Sequence, residues 1–155
     1  MTDYNDLALR LEGLISGVPH TVANYANAAA LIYFGLDKLN WAGFYFVEGE
    51  KLVLGPFCGR PACIEIPMGH GVCGAAASED KTLVVPNVRE FHGHISCDCA
   101  SNSEIVIPLH KDGRVFGVLD IDSPELARFA DDDRQGLEAL ALIIEKNCSQ
   151  QSEAE

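Results

Sequence analysis

The chain has 155 residues, with 23 Asp and Glu against 11 Lys and Arg, so its formal net charge is −12 with the five histidines neutral. A polyanion of this kind repels phosphate backbones and anionic lipid, which argues against nucleic acid or a membrane surface as partner. At 48% apolar the chain can bury a single core, and no apolar run approaches the roughly 18 residues of a membrane span. The opening stretch, MTDYNDLALR, lacks the basic and apolar regions of a secretory signal. One domain in the cytoplasm is therefore expected.

Tyr4, Leu7, Leu11 and Leu14 recur at helical spacing behind a Thr2/Asp3 cap, and Gly17 and Pro19 close that first helix. A second, alanine-rich helix is predicted from about Val22 to Leu36, its Ala28-Ala29-Ala30 run allowing another backbone to come close. The period then changes to two. Trp41, Gly43, Tyr45 and Val47 fall on one side of a strand, with Ala42, Phe44 and Phe46 on the other. Strands are predicted at Leu52 to Pro56 and at Ala62 to Ile66. Gly69 to Gly74 leads into a short helix, Leu83 to Val85 is extended, and Asn87 to Asn102 is an aperiodic loop rich in Cys and His, of a kind that is usually functional. Two strands, Glu104 to His110 and Arg114 to Asp122, precede a closing helix from Asp131 to Cys148. That helix has three aspartates at its positive end and a stripe of Leu137, Leu140, Ala141 and Ile144. Runs of strands without regular crossovers predict an α+β fold, an antiparallel sheet with helices packed on one face.

The last hairpin decides which side chains share a face. A three-residue loop, Lys111-Asp112-Gly113, sets Glu104 opposite Asp120. It gathers Ile105, Ile107, Leu109, Val115, Leu119 and Ile121 on one face and Glu104, Val106, Phe116, Val118, Asp120 and Asp122 on the other. A two-residue loop would mix carboxylates into the helix-covered side, so hydrophobic burial favours the longer one. Three carboxylates then converge beside an apolar patch, and at least one should hold its proton unusually well.

Six cysteines occupy positions 58, 63, 73, 97, 99 and 148. A reducing cytosol leaves metal binding, redox catalysis or plain packing as their roles. The stretch His92-Gly93-His94-Ile95-Ser96-Cys97-Asp98-Cys99 has four potential zinc ligands, but HxH followed by CxC fits tetrahedral spacing poorly, and no metal is expected. The redox reading needs one attacking thiolate, a thiol to resolve it and a proton donor. Cys97 lies just upstream of the strand where the acids gather, while Cys63 and Cys73 flank the glycine loop.

The runs Leu54-Gly55-Pro56-Phe57, Ala62-Cys63, Gly71-Val72-Cys73-Gly74, Gly93-His94-Ile95, Cys97-Asp98, Ser103-Glu104-Ile105-Val106 and Gly117-Val118-Leu119-Asp120-Ile121-Asp122-Ser123 strongly resemble the free methionine-(R)-sulfoxide reductases, single GAF-domain enzymes. The resemblance runs from about Trp41 to the final helix. It implies that Cys97 attacks the sulfoxide sulfur and becomes a sulfenic acid, that Cys63 resolves it, and that Cys73 is a third redox-competent thiol. It further implies thioredoxin as reductant, no cofactor, and a homodimer, for which the first and last helices are the expected contact. Glu104, Asp120 and Asp122 match the family's substrate-site acids, and Trp41 with Tyr45 its aromatic wall.

Physical chemistry supplies reasons for those roles. A carboxyl with a raised pKa, Glu104 or Asp122, could protonate the sulfoxide oxygen while a remaining ionised acid receives the substrate ammonium. Trp41 offers a π face to the S-methyl group, and backbone N–H groups of Ile95, Ser96 and Cys97 could take the substrate carboxylate. Cys58 and Cys99 depart from the family pattern, which leaves Cys63, Cys73 and Cys99 all open as the resolving thiol. The competing reading is a ligand-sensing GAF module without chemistry, which would ordinarily feed an attached output domain.

Overall fold

A computed structural model of the chain describes residues 1–93 and 100–148. Helix α1 spans Tyr4–Ile15, and the Asp3 carboxylate accepts the backbone N–H of Asp6 at its start, satisfying one of the donors that a helix N-terminus leaves orphaned. Its buried stripe is Leu7, Leu11 and Ile15, at i+4 spacing. Leu14, expected in that stripe, is exposed instead. Helix α2, Thr21–Gly35, buries Ala28 and Ala29 completely, so the sheet beneath it can come close.

Six strands follow: β1 Trp41–Glu48, β2 Lys51–Gly59, β3 Glu65–Pro67, β4 Leu83–Val85, β5 Ser103–Lys111 and β6 Arg114–Ser123. They form one antiparallel sheet in the order β3-β2-β1-β6-β5-β4. Helix α3, Gly71–Glu79, lies between β3 and β4 in sequence, and helix α4, Asp131–Cys148, closes the fold. Two strand limits differ from expectation. Strand β2 runs on to Gly59, and β3 begins only at Glu65, which leaves Cys63 in the connection before it. The aperiodic loop also carries a single 3-10 turn, Val88–Glu90, capped by the Asn87 side chain.

The sheet separates two cores. On one side Phe44, Ile105, Leu119 and Ile121 meet α1, α2 and α4. On the other, Trp41, Tyr45, Val106 and Val118 meet Val72, Cys73 and Ala76 of α3. The expected faces of β1, and the stripe of α4, are those observed.

The last hairpin reaches the expected faces by a different route. Its loop is the two-residue Asp112-Gly113, both at positive φ (53° and 74°), as a type I′ turn requires. Lys111 pairs with Arg114 and His110 with Val115, but Leu109 pairs with Gly117, so Phe116 is an extra residue in β6. This bulge returns the register to even parity, and Glu104 lies opposite Asp122, with Asp120 opposite Val106. The expectation that Glu104 faces Asp120 is therefore corrected. Val115 and Phe116 also exchange sides: Val115 packs in the α3 core, whereas Phe116 packs in the helical core and stacks on Phe46. Burial determines which residues share a face, and either a longer loop or a bulge satisfies it.

Candidate active site

Strand β6 carries Asp120 and Asp122 onto the α3 side of the sheet, between Glu104 on β5 and Trp41 on β1. Asp122 is the cross-strand partner of both Glu104 and Trp41. Asp120 lies opposite Gly43, and Tyr45 opposite Val118. Directly opposed residues in an antiparallel pair have Cβ atoms only about 5 Å apart, so strand alternation alone brings three carboxyls and two aromatic rings together. Gly43 is needed here, because a Cβ at this position would collide with Phe57 and come within 2.8 Å of the Trp41 ring. Without it, Trp41 stacks on Phe57 at 5.2 Å and 16°, and on Tyr45 at 5.9 Å and 27°. Phe57 is a member of this wall that the sequence reading left unassigned; its place in the LGPF run was the available clue.

Helix α3 brings Cys73 down onto the acids. Gly74 permits this approach, since a side chain there would meet the Pro67 carbonyl at 2.6 Å. The Cys73 thiol donates to Glu104 Oε1 at 3.9 Å. Glu104 is 7% exposed, Asp120 5% and Cys73 4%, and their ligand-type atoms all lie within 4.8 Å of one another. Burial pushes the Glu104 carboxyl well above its usual range, and the charges of Asp120 and Asp122 push it further. The Cys73 thiol moves up for the same reasons, burial first and then Asp120 and Glu104. Asp120 is also raised by burial, but hydrogen bonds with Glu104, Cys73 and Asp122 oppose the shift. The cluster thus holds protons on Glu104 and Cys73, while hydrogen bonds at Asp120 offset part of the rise that burial imposes there. Asp120 Oδ1 is buried with no hydrogen-bond partner among the described residues, an arrangement that costs free energy until a donor or cation reaches it.

The aromatic wall also holds the cysteine segment. Tyr45 donates its hydroxyl to the Cys63 carbonyl at 2.9 Å, and Trp41 Nε1 donates to the Arg60 carbonyl at 3.1 Å. Cys63 is half-buried and disulfide-bonded, while Cys58, Cys73 and Cys148 are free thiols. The other predicted site residues, Ile95, Ser96 and Cys97, lie outside the described residues, as do His94 and Cys99. The two ends of that segment are described. Gly93 accepts from the Gly71 N–H at the start of α3, Ser101 Oγ accepts from Asn40, and Asn102 bonds the backbones of Val88 and Ser123. Both ends therefore attach beside the acid cluster.

A six-stranded antiparallel sheet with helices on one face and a small helix over a buried polar cluster on the other defines a GAF domain, and the GAF domain family model matches residues 11–147. The chain is 48% identical over 143 residues to the free methionine-R-sulfoxide reductase of Escherichia coli K12, covering 92% of this chain and 87% of that protein. Among solved structures, the fRMsr of Staphylococcus aureus in complex with substrate superposes with a TM-score of 0.91 at 49% identity, covering 96% of this chain and 97% of that one. The free methionine-R-sulfoxide reductase from Neisseria meningitidis in complex with its substrate gives 0.91 at 42% identity, covering 94% and 88%. The chain belongs to the GAF-domain family of free methionine-R-sulfoxide reductases.

Proposed function

We propose that the chain reduces free L-methionine-(R)-sulfoxide to methionine. The observation that carries this reading is the buried pair Glu104 and Asp120 with half-buried Asp122 beside them, flanked by Trp41 and Tyr45, in a chain 49% identical to an enzyme solved with its substrate. A protonated carboxyl in an apolar pocket is a proton donor, and burial with like-charge neighbours gives Glu104 that character. Asp120, with an unpartnered oxygen, receives the substrate ammonium together with Asp122. A site that binds a free ammonium and a free carboxylate rejects methionine sulfoxide within a peptide.

In the reaction the Cys97 thiolate attacks the sulfoxide sulfur, and Glu104 protonates the oxygen as the S–O bond breaks. The oxygen passes to Cys97 as a sulfenic acid and methionine leaves with two more electrons. The Cys63 thiol then attacks the sulfenic sulfur, releasing water and forming a Cys63–Cys97 disulfide. Trp41 faces the S-methyl group, and backbone N–H groups at Ile95, Ser96 and Cys97 hold the carboxylate. Support for Cys63 comes from its place against the Tyr45 hydroxyl and its disulfide state. Cys73 is an adverse choice for this step, because burial and the carboxyls of Asp120, Glu104 and Asp122 suppress its thiolate. A thioredoxin-type dithiol then reduces the disulfide. The exposed Leu9 of α1 and Leu142 of α4 support a homodimer packed through these helices.

The test is single-turnover release of methionine without reductant, on the separated R and S isomers and on peptide-bound substrate. One methionine per chain is expected from the free R isomer and none from the peptide. Cys97→Ser abolishes that first equivalent, whereas Cys63→Ser retains it and loses multiple turnover. Release by Cys97→Ser overturns the mechanism.

A further inference from the structure

The cluster under α3 offers a donor set that substrate binding does not explain. An ammonium ion calls for oxygen acceptors, yet a thiol closes this site: Cys73 Sγ lies 3.9 Å from Glu104 Oε1. Donor atoms of Cys73, Glu104 and Asp120 come from three separate elements, α3, β5 and β6, and fall within 4.8 Å of one another. Ligands about 2.0–2.3 Å from a tetrahedral zinc ion are separated by roughly 3.5 Å, so rotamer adjustments of well under 2 Å would close the set. Asp120, 5% exposed, has one oxygen with no hydrogen-bond partner among the described residues, so one ligand atom is already stripped of competitors.

The geometry points to a thiophilic divalent-cation site formed by Cys73, Glu104 and Asp120, which takes zinc and thereby excludes the substrate ammonium from Asp120. The thiolate and two carboxylates neutralise the ion with one negative charge left over. They also select zinc, cobalt or cadmium over magnesium and calcium, which take oxygen ligands alone. Three protein ligands leave a fourth position for water, as in open zinc sites. The cation displaces the protons that Cys73 and Glu104 otherwise hold, with no change in oxidation state. Cys73, poorly suited to resolving the sulfenic acid, thereby acquires a role as a metal-responsive brake on the pocket. This site is distinct from the His92 to Cys99 stretch, whose spacing argues against zinc.

The competition with substrate rests on the proposed reductase reading, whereas cation binding does not, and one experiment separates the two. The full chain, stripped of metal by chelator and kept free of added thiol, is titrated with cobalt as a spectroscopic stand-in for zinc. A thiolate-to-cobalt charge-transfer band saturating at one ion per chain is expected. Cys73→Ala removes it, and Glu104→Gln, which preserves side-chain shape, weakens binding by about tenfold or more. Methionine sulfoxide displaces the ion, and zinc suppresses single-turnover methionine release competitively. No band, or a band of undiminished affinity in both variants, overturns the site. A Cys73-dependent band in a chain that releases no methionine upholds the site and overturns the reductase reading.

Discussion

The two faces of the sheet are built from the same strands and differ by one residue in phase, yet their interiors are opposites. On the helical side Phe44, Ile105, Leu119 and Ile121 are fully buried against three helices. Every residue placed there lowers the free energy of folding through apolar surface removed from water. On the α3 side, two carboxylates and a thiol are at least 93% buried around an orphaned oxygen. Burying such groups without a counter-charge works against folding. One face therefore stabilises the fold so that the other can hold buried carboxyls that work against it. Substitutions on the two faces should move stability and activity in different combinations.

The largest effect belongs to Glu104→Gln. On the proposed mechanism this removes the proton donor and should lower methionine release by about 10²–10⁴-fold, while the folded chain becomes more stable. The direction follows from linkage. Glu104 binds its proton more tightly in the folded chain than its ordinary value of 4.5 allows. Its stabilising contribution is full below that ordinary value and is lost as pH rises through the raised one. The wild-type Tm should therefore fall with rising pH above about 4.5, and Glu104→Gln should flatten that slope. Thermal melts across pH check this, and a variant that melts lower than wild type at neutral pH would break the contrast between the faces.

Leu119→Ala makes the reverse test on the opposite face, at the residue next to Asp120 in β6. Leu119 is fully buried and pairs with Phe44 and Ile107. Truncation leaves a cavity between sheet and helices and should cost about 2–5 kcal/mol in denaturant unfolding. Methionine release per folded chain, measured well below the new Tm, should stay near wild type. A large loss of activity with little loss of stability would mean that the faces are not separable in the way their packing implies.

Much of this division was legible before the structure. Period-two alternation put Trp41 and Tyr45 on one side of their strand and Glu104, Asp120 and Asp122 on one side of the last hairpin, because carboxylates under the helices would be costly; the family resemblance joined the two groups in one site. What alternation could not locate was the odd residue. A two-residue turn with a bulge at Phe116 and a three-residue loop without one give the same parity over Val118 to Asp122, so the Glu104 partner and the sides of Val115 and Phe116 were misassigned. The stacking of Phe57 on Trp41 was hidden for a similar reason, since the β1–β2 pairing slips register between Gly43 and Tyr45. The bond from Tyr45 to the Cys63 carbonyl joins an element to a loop, and no periodicity reports such a contact.

That bond gives the smallest and most local prediction. Tyr45 is 2% exposed, and burial followed by the charge of Asp120 pushes its hydroxyl pKa up, so it remains a neutral donor. Its ring belongs to the pocket wall, but its hydroxyl reaches the backbone that carries Cys63. Tyr45→Phe keeps the ring stack and removes only that donor, at a cost of about 0.5–1.5 kcal/mol. The first equivalent of methionine should then appear at nearly the wild-type rate, because Cys97 and the acids are untouched. With Cys63 as the proposed resolving thiol, disulfide formation should slow by several-fold, because the backbone that carries it is less firmly held. Rapid-quench measurement of methionine and of thiol loss in the same samples separates the two steps. If both slow together, the hydroxyl serves the pocket, and the aromatic wall and the resolving segment form one functional unit.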